Sequence, residues 1–270
     1  MSVWDISNYD ADTLDVACMK ASGVTGVILG CQRPHVARQM ADKLIAGGIP
    51  IIGVYAFLYL GIDSAGQIVN ACDVAEEYGV RRVWLDVEST GANERAGITV
   101  AERIDEVERG VGQVLASGLE PGIYTGRWYW VPQMGNTTAF SNLPLWHSEY
   151  PNDRHEVRTV DYGGWTNVAI HQYASDIEVC GRVRDHNYVF EEGDDMTGED
   201  VKRLAGEIFD DNFSAYFMRA MKQYFTDTGP GDFSNAPDPD VMAALRSATV
   251  APHAHRTTTT TAVTGEVLLR

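Results

Sequence analysis

The chain has 270 residues and a formal net charge of −17, with 21 Lys and Arg against 38 Asp and Glu. Hydrophobic residues make up 44% of it, so a mainly disordered acidic chain is excluded. The acidity and the lack of any basic run also exclude nucleic acid as an expected partner, because phosphate binding depends on clustered Lys and Arg.

A strand-like run followed by a helix-like run recurs along the first half of the chain. Strands are predicted at 3–7, 25–32, 49–59, 81–88 and 120–126, and helices at 12–22, 36–46, 64–78, 100–117 and 127–134. Such alternation is typical of parallel strands joined by crossover helices. Three further strands are predicted, at 144–150, 168–174 and 183–190, with no helix between them. Five βα units and three strands make eight strands, which predicts an irregular α/β barrel of the TIM type.

Glycines mark the predicted helix ends. Gly23, the pair Gly47 and Gly48, Gly79 and Gly118 each follow a helical run and precede a strand, where a left-handed residue commonly ends a helix. Gly110 lies inside a helical run instead of after a strand, so no phosphate-binding loop is indicated there.

Residues 193–270 differ from the rest and predict a separate appendage. It contains an amphipathic helix at about 198–228, a connector rich in Gly, Pro and Asp, and a tail rich in Thr. The aromatic stripe of that helix indicates a partner surface, for another copy of the chain or for other proteins. In the tail, His253 and His255 precede five threonines. They either hold a metal ion on the axis of a trimeric tip or belong to a disordered terminus.

Cysteine spacing and the amino terminus give expectations about the compartment. Cys18, Cys31, Cys72 and Cys180 are widely spaced, so four buried free thiols are predicted. The first thirty residues hold several acids and no uninterrupted apolar segment, so we expect no signal peptide and synthesis in the cytoplasm. The longest apolar run, 49–62, is too short to span a bilayer and predicts a buried strand, so no membrane partner is expected.

The strongest chemical signal is a pair of acids at the end of the fourth predicted strand. Asp86 and Glu88 are two residues apart, so their side chains point to the same face. The carboxyl ends of barrel strands usually carry the active site. Two neighbouring acids disfavour each other's ionisation, which leaves one available as a general acid, although solvated carboxylates at an exposed strand end would give the same pattern. Asp5 on the first strand and Asp185 on the last add acids to the same rim.

Seven motifs in order resemble the strand motifs of the glycoside hydrolase family 25 lysozymes, and together they span residues 1 to about 192. The motifs are Trp-Asp-Ile-Ser-Asn-Tyr at 4–9, Gly-Val-Tyr-Ala-Phe at 53–57, Trp-Leu-Asp-Val-Glu at 84–88, Gly-Ile-Tyr-Thr-Gly at 122–126, Leu-Trp and Tyr within 145–150, Gln-Tyr at 172–173 and Asp-His-Asn at 185–187. The family consists of bacterial and phage muramidases that cleave peptidoglycan between N-acetylmuramic acid and N-acetylglucosamine.

The resemblance implies roles for the acids. Glu88 would be the general acid, while Asp86 would orient the 2-acetamido group of the substrate or hold a water molecule. Asp5 and Asp185 would complete the acidic floor and tune Glu88. The substrate would be a peptidoglycan glycan strand, with no cofactor. The residues expected to line its sugar subsites are Tyr55, Tyr124, Trp146, Tyr150 and Gln172, although core packing is an equal alternative for Tyr124 and Trp146.

Departures from the family pattern keep alternatives open. Ala56 stands where the family commonly has His, and His171 stands where it commonly has Trp. The first hypothesis is a phage lysin, or a virion-associated muramidase, that acts at the bacterial cell wall after release or as part of a virion. The second is a structural or carbohydrate-binding component of a phage tail with weak or no catalysis. A chitinase-type hydrolase is a third candidate, although the longer run of alternating acids is missing. The dispersed His147, Glu149, His171 and His186 predict no zinc site.

Overall fold

A computed structural model describes residues 2–89, 91–150 and 160–190. The predicted appendage at 193–270, with its helix, its connector and the residues His253 and His255, lies outside the described residues. The predicted boundary near residue 192 lies outside them as well, and both stay predictions.

Eight strands close into a barrel in chain order, which confirms the predicted fold class. The strands are β1 (Ser2–Ile6), β2 (Gly26–Gly30), β3 (Ile51–Phe57), β4 (Arg82–Asp86), β5 (Glu120–Thr125), β6 (Leu145–Ser148), β7 (Ile170–Val179) and β8 (Arg182–Val189). Neighbours from β1 to β7 pair in parallel, whereas β8 runs antiparallel to both β7 and β1. The carboxyl ends of seven strands therefore share one rim, and β8 reaches that rim with its amino-terminal half.

The helices surround the barrel, and four of the five lie where the sequence predicts them. They are α1 (Val16–Ala21), α2 (Pro34–Ala46), α3 (Ser64–Tyr78), α4 (Val100–Ala116) and α5 (Arg127–Gln133). The predicted helix at 12–22 is instead a 3₁₀ segment, Asn8–Thr13, followed by α1. The break occurs because the Asp15 side chain accepts from the Cys18 amide and so starts a new helix. Among the described residues, no helix is long and apolar enough to cross a membrane.

Aromatic side chains fill the barrel below the rim. The inner layer consists of Val3, Ile28, Tyr55, Trp84, Tyr124, Trp146 and Ile170. The ring centroid of Trp146 lies 4.6 Å from that of Tyr124 and 5.7 Å from that of Trp84. Gly122 makes room for this layer, since a Cβ atom there would lie 2.4 Å from the Trp84 ring. The acids at the rim therefore lie above an apolar layer of low dielectric constant, which disfavours their charged forms.

A disulfide between Cys18 and Cys180 joins α1 to the turn between β7 and β8, so the prediction of four free thiols is wrong for this pair. Their Cα atoms are 5.8 Å apart although 162 residues separate them in sequence. Closing the barrel with β8 against β1 brings the last hairpin beside the first helix, which residue spacing alone does not reveal. Cys31 and Cys72 are buried and free, as predicted.

Polar contacts add to the disulfide in holding the hairpin of β7 and β8 against the segment after β1. The Arg184 guanidinium forms an ion pair with Asp10, and both side chains are largely buried. Arg182 Nε donates to Thr13 Oγ1 at 3.1 Å. Asp185, which directly follows Arg184, is therefore fixed close to the end of β1.

Candidate active site

The structure brings the four predicted acids together at one rim of the barrel. Asp5 pairs in register with Asp185 across β1 and β8, and Asp86 is the last residue of β4. Glu88 lies two residues beyond Asp86 and interacts electrostatically with Asp5, Asp86 and Asp185. Asp185 reaches the group from the fourth position of β8 and not from a carboxyl end, because β8 is antiparallel. Their catalytic roles remain predictions.

Hydrogen bonds from β5 fix the backbone that carries Glu88. The Val87 amide donates to the Tyr124 carbonyl at 2.9 Å, and the Thr125 hydroxyl donates to the Val87 carbonyl at 2.8 Å. Both polar groups of the Val87 backbone are thus held by the neighbouring strand. Glu88 is the next residue, so its backbone position is fixed as well, although it lies just past the end of β4.

Burial and the repulsion between neighbouring carboxylates raise the pKa values of these acids above their usual range. Burial raises the pKa of Glu88 to about 7, the charge of Asp5 adds to the effect, and a hydrogen bond with Tyr124 opposes it. Burial, followed by the charges of Asp5 and Glu88, raises the pKa of Asp185 to about 8. A carboxyl group with a pKa near neutrality can carry a proton to a leaving group, which is the requirement for a general acid.

Asp86 is more deeply buried, and one of its oxygens is unsatisfied. Burial, then the charges of Glu88 and Asp5, hold the pKa of Asp86 well above its usual range. Asp86 Oδ1 is buried and has no hydrogen-bond partner among the described residues. A buried acceptor without a donor is unfavourable by about 1–3 kcal/mol. The site therefore presents an acceptor that a donor on a bound ligand or a water molecule would satisfy.

Asp5 is held by two buried amides. Asn187 Nδ2 donates to Asp5 Oδ1 at 2.6 Å, and Gln172 Nε2 donates to the same oxygen at 3.0 Å. Asn187 is itself oriented by Trp146, whose indole N–H donates to Asn187 Oδ1 at 2.7 Å. The sequence predictions missed Asn187 as a site residue. The sequence did contain a sign of its role, because Asn187 lies two residues after Asp185 and side chains at that spacing share one face of a strand.

The five residues predicted to bind sugar differ in accessibility. Gln172 is buried, and its Oε1 accepts from the hydroxyls of Tyr124 at 2.8 Å and Tyr150 at 2.9 Å. Tyr55 and Tyr124 are buried in the inner layer below the rim, whereas the Tyr150 residue is 47% exposed. Trp146 is 2% exposed and lies inside the barrel, so its position favours the core-packing alternative.

The three histidines and the glutamate that are dispersed in the sequence lie at two separate places in the fold. His147 and His171 stack at 5.8 Å beside Glu149, whereas His186 packs against Trp4. Within the described part of the chain, no group of three or more His, Cys, Asp or Glu side chains is arranged to hold a metal ion.

Comparison with known proteins identifies the family. Residues 4–182 match the family described as Glycosyl hydrolases family 25. Probable GH family 25 lysozyme 4 of Dictyostelium discoideum is 30% identical over 187 residues, which cover 64% of this chain and 84% of that protein. Probable GH family 25 lysozyme 2 of the same organism is 26% identical over 197 residues, 68% of this chain and 88% of that protein.

A family GH25 lysozyme from Aspergillus fumigatus shares the fold. Its solved structure has a TM-score of 0.56 at 17% sequence identity, covering 76% of this chain and 98% of that chain. The family match extends from the middle of β1 to the first residue of β8 and so includes Asp5, Asp86 and Glu88 but not Asp185. The chain belongs to glycosyl hydrolases family 25 and is a glycoside hydrolase.

Proposed function

We propose that this glycoside hydrolase is a muramidase, which cleaves the bond between N-acetylmuramic acid and N-acetylglucosamine in peptidoglycan. The observation that carries the proposal is the convergence of Asp5, Asp86, Glu88 and Asp185 on one rim, with the pKa of Glu88 raised to about 7. The names of similar proteins support the substrate, since they include lysozymes and a muramidase from Trichobolus zukalii.

In this mechanism Glu88 donates its proton to the glycosidic oxygen as the bond to the anomeric carbon breaks. A water molecule then supplies the hydroxyl that binds the anomeric carbon, and its other proton returns to the carboxylates of the site, so that Glu88 is protonated again. The unsatisfied Oδ1 of Asp86 accepts from the N–H of the 2-acetamido group and turns its carbonyl oxygen toward the anomeric carbon, or holds a water molecule in its place. Asp5 disfavours ionisation of Glu88 and so keeps it protonated until the substrate arrives. Asp185 has its own ionisation suppressed by Asp5 and completes the acidic floor.

We also propose where the enzyme acts: at the bacterial cell wall, as a lysin released from the cytoplasm of a phage host or as part of a virion. The net charge of −17 supports delivery on a particle, because anionic walls do not attract such a protein from solution. The disulfide between Cys18 and Cys180 supports action outside the reducing cytoplasm, since disulfides persist in oxidising surroundings. Partners for such delivery would bind through residues 193–270, as would a second copy of the chain.

The decisive experiment measures the loss of turbidity of purified cell walls, together with the new reducing ends that glycosidic cleavage produces. Wild type is expected to clear the walls, and Glu88→Gln is expected to lose at least about a hundredfold in rate, as general acid catalysis contributes 10²–10⁴-fold. Circular dichroism checks that the variant folds. If both proteins fold and are equally inert, catalysis is refuted and a carbohydrate-binding role replaces it. Release of products from chitin and not from peptidoglycan would favour the chitinase-type alternative.

A further inference from the structure

A cavity of about 620 Å³ lies next to the proposed catalytic rim. It opens between the start of α5 and the end of β6, and Tyr150 is one of its lining residues. Its size falls within the range of about 300–1,000 Å³ that is typical of small-molecule sites. Its walls include Arg127, Trp128, His147, Glu149, Tyr150 and Tyr162.

Two half-exposed aromatic residues face this cavity. Trp128 is 52% exposed and Tyr150 is 47% exposed, and both contribute to the lining. A Trp residue normally buries more of its surface than this, so the ring has apolar area available for a ligand. Trp128 has no part in the catalytic steps described above, which leaves its exposure unexplained by them.

The charged groups around the cavity already have partners within the protein. Arg127 Nε donates to Asp161 Oδ1 at 3.0 Å, and His147 Nε2 lies 3.3 Å from the carboxylate of Glu149. A carboxylate can only accept, so neutral His147 donates from Nε2 and accepts at Nδ1 from the Tyr162 hydroxyl at 2.8 Å. The negative charge of Glu149 is hydrogen-bonded but not neutralised, so the cavity repels anions and suits an uncharged ligand that has an apolar face and several hydroxyls. A saccharide fits that description, whereas a peptide with free carboxylates does not.

Hydrogen bonds connect the cavity wall to the catalytic carboxylates. The Tyr150 hydroxyl donates to Gln172 Oε1 at 2.9 Å, and Gln172 Nε2 donates to Asp5 at 3.0 Å. Ser148, which also lines the cavity, donates to the Tyr150 hydroxyl at 3.0 Å. Two side chains, Tyr150 and Gln172, thus connect the cavity to Asp5. A polymer cleaved at the acids would have a neighbouring unit within reach of the cavity.

We propose that this cavity is a saccharide subsite, in which Trp128 stacks on an N-acetylhexosamine unit of the glycan strand away from the cleaved bond. The proposal rests on the proposed function, because it identifies the ligand as part of the same substrate. Tyr150 forms the wall shared with the catalytic rim, and the paired polar groups bind the hydroxyls of the sugar. The enzyme should therefore prefer long strands to fragments that are too short to reach Trp128.

A length series of peptide-free glycan fragments tests the preference. The ratio of kcat/KM for the longest fragment to that for the shortest cleaved fragment should fall roughly tenfold in Trp128→Ala, as loss of one stacking contact predicts. Trp128→Phe should recover most of the ratio because it restores an aromatic face. Ile45→Ala, a change at an exposed apolar residue of α2, is the matched control and should leave the ratio unchanged. An unchanged ratio in Trp128→Ala would overturn the proposal.

A binding measurement separates this proposal from the proposed function. Glycan fragments are titrated into Glu88→Gln, and the quenching of tryptophan fluorescence is followed, which requires no turnover. We expect quenching that is largely lost when Trp128→Phe is added to Glu88→Gln. Quenching by the free stem peptide and not by the glycan would overturn the assignment to a sugar. If wild type fails to hydrolyse walls, the proposed function fails, whereas the Trp128-dependent quenching still decides whether the cavity binds saccharide.

Discussion

Asp5 of β1 lies directly opposite Asp185 of β8, across the antiparallel pair that closes the barrel. The charge of Asp5 adds to burial in raising the pKa of Asp185 to about 8, and the protonated Asp185 forms a hydrogen bond with Asp5. Two acids that face each other in this way do not ionise independently. Near neutral pH, the pair therefore shares a proton next to Glu88.

The pH dependence of activity should report this arrangement. Because Glu88 must be protonated to act and its pKa is raised to about 7, kcat/KM should fall as the pH rises through about 7. After burial, the charge of Asp5 is the next largest cause of the raised pKa of Glu88. Asp5→Asn removes this charge, so the pKa of Glu88 should fall and the alkaline limb of the profile should move to lower pH. The profile is measured on a soluble glycan. Asp73→Asn, at an exposed position on α3, is the control, and an unmoved limb in Asp5→Asn would contradict the electrostatic role.

Stability should depend on Asp185 in a defined direction. Folding raises the pKa of Asp185 from 3.8 to about 8, so the folded state holds this proton more strongly than the unfolded state does. The resulting stabilisation is complete below pH 3.8 and is lost as the pH rises through about 8. The Asp185→Asn variant has no carboxyl group to ionise at this position. It should therefore be more stable than wild type at pH 9, by roughly 1–3 kcal/mol. Urea unfolding at pH 4 and pH 9 checks it, and an equal difference at both values would refute it.

The barrel and the acid pair Asp86 and Glu88 could be predicted from the sequence because both follow from local patterns. A glycine such as Gly79, with φ of 66°, marks a helix end wherever the fold places it. The spacing of Asp86 and Glu88 predicts one face of one strand without any knowledge of the neighbours. Such features follow from a few consecutive residues.

Other features depend on how distant segments meet, and these were missed. The disulfide partner of Cys18 lies 162 residues away, and it is found only when β8 is known to pair with β1. Asn187 acquires its role from Asp5 and Trp146, which lie on two other strands. Trp146 and Tyr150 both occur in one motif, yet only Tyr150 is accessible, because Trp146 lies within β6 and packs inside the barrel whereas Tyr150 lies beyond the end of that strand.

Asn187 is expected to position Asp5. Its hydrogen bond lowers the pKa of Asp5 against the opposing effect of burial, so Asn187→Ala should raise that pKa further. Losing a hydrogen bond to a charged group is unfavourable by about 1.5–3 kcal/mol, so kcat should fall roughly tenfold to a hundredfold with little change in KM. The distinguishing measurement is the alkaline limb of the pH profile, which should move to lower pH, because an Asp5 that is more often protonated disfavours the ionisation of Glu88 less. A uniform loss of activity with an unmoved limb would indicate only a structural role.

Thr125 is expected to position Glu88 through the backbone. Its buried hydroxyl donates to the Val87 carbonyl at 2.8 Å, and Thr125→Val removes this bond while nearly preserving the shape of the side chain. We expect a loss of about 1–3 kcal/mol in the free energy of unfolding, because the carbonyl loses its donor, and a several-fold decrease in kcat. Thr125→Ser retains the hydroxyl and is the matched control. The assignment would be wrong if Ser and Val at this position lowered kcat equally.

The disulfide between Cys18 and Cys180 should stabilise the barrel where the last hairpin meets the first helix. Cross-linking residues 162 positions apart restricts the unfolded chain, and the loop-entropy treatment gives about 5 kcal/mol for a loop of this length. Replacing both cysteines with Ala should lower the free energy of unfolding by roughly 2–5 kcal/mol in urea. A reducing agent should destabilise wild type by a similar amount and leave the double variant unchanged. Replacing the free Cys72 with Ala controls for the loss of a buried thiol, and that variant should stay sensitive to reductant. Wild type that is equally stable with and without reductant, after complete reduction is verified by thiol titration, would contradict the stabilising role of this bond.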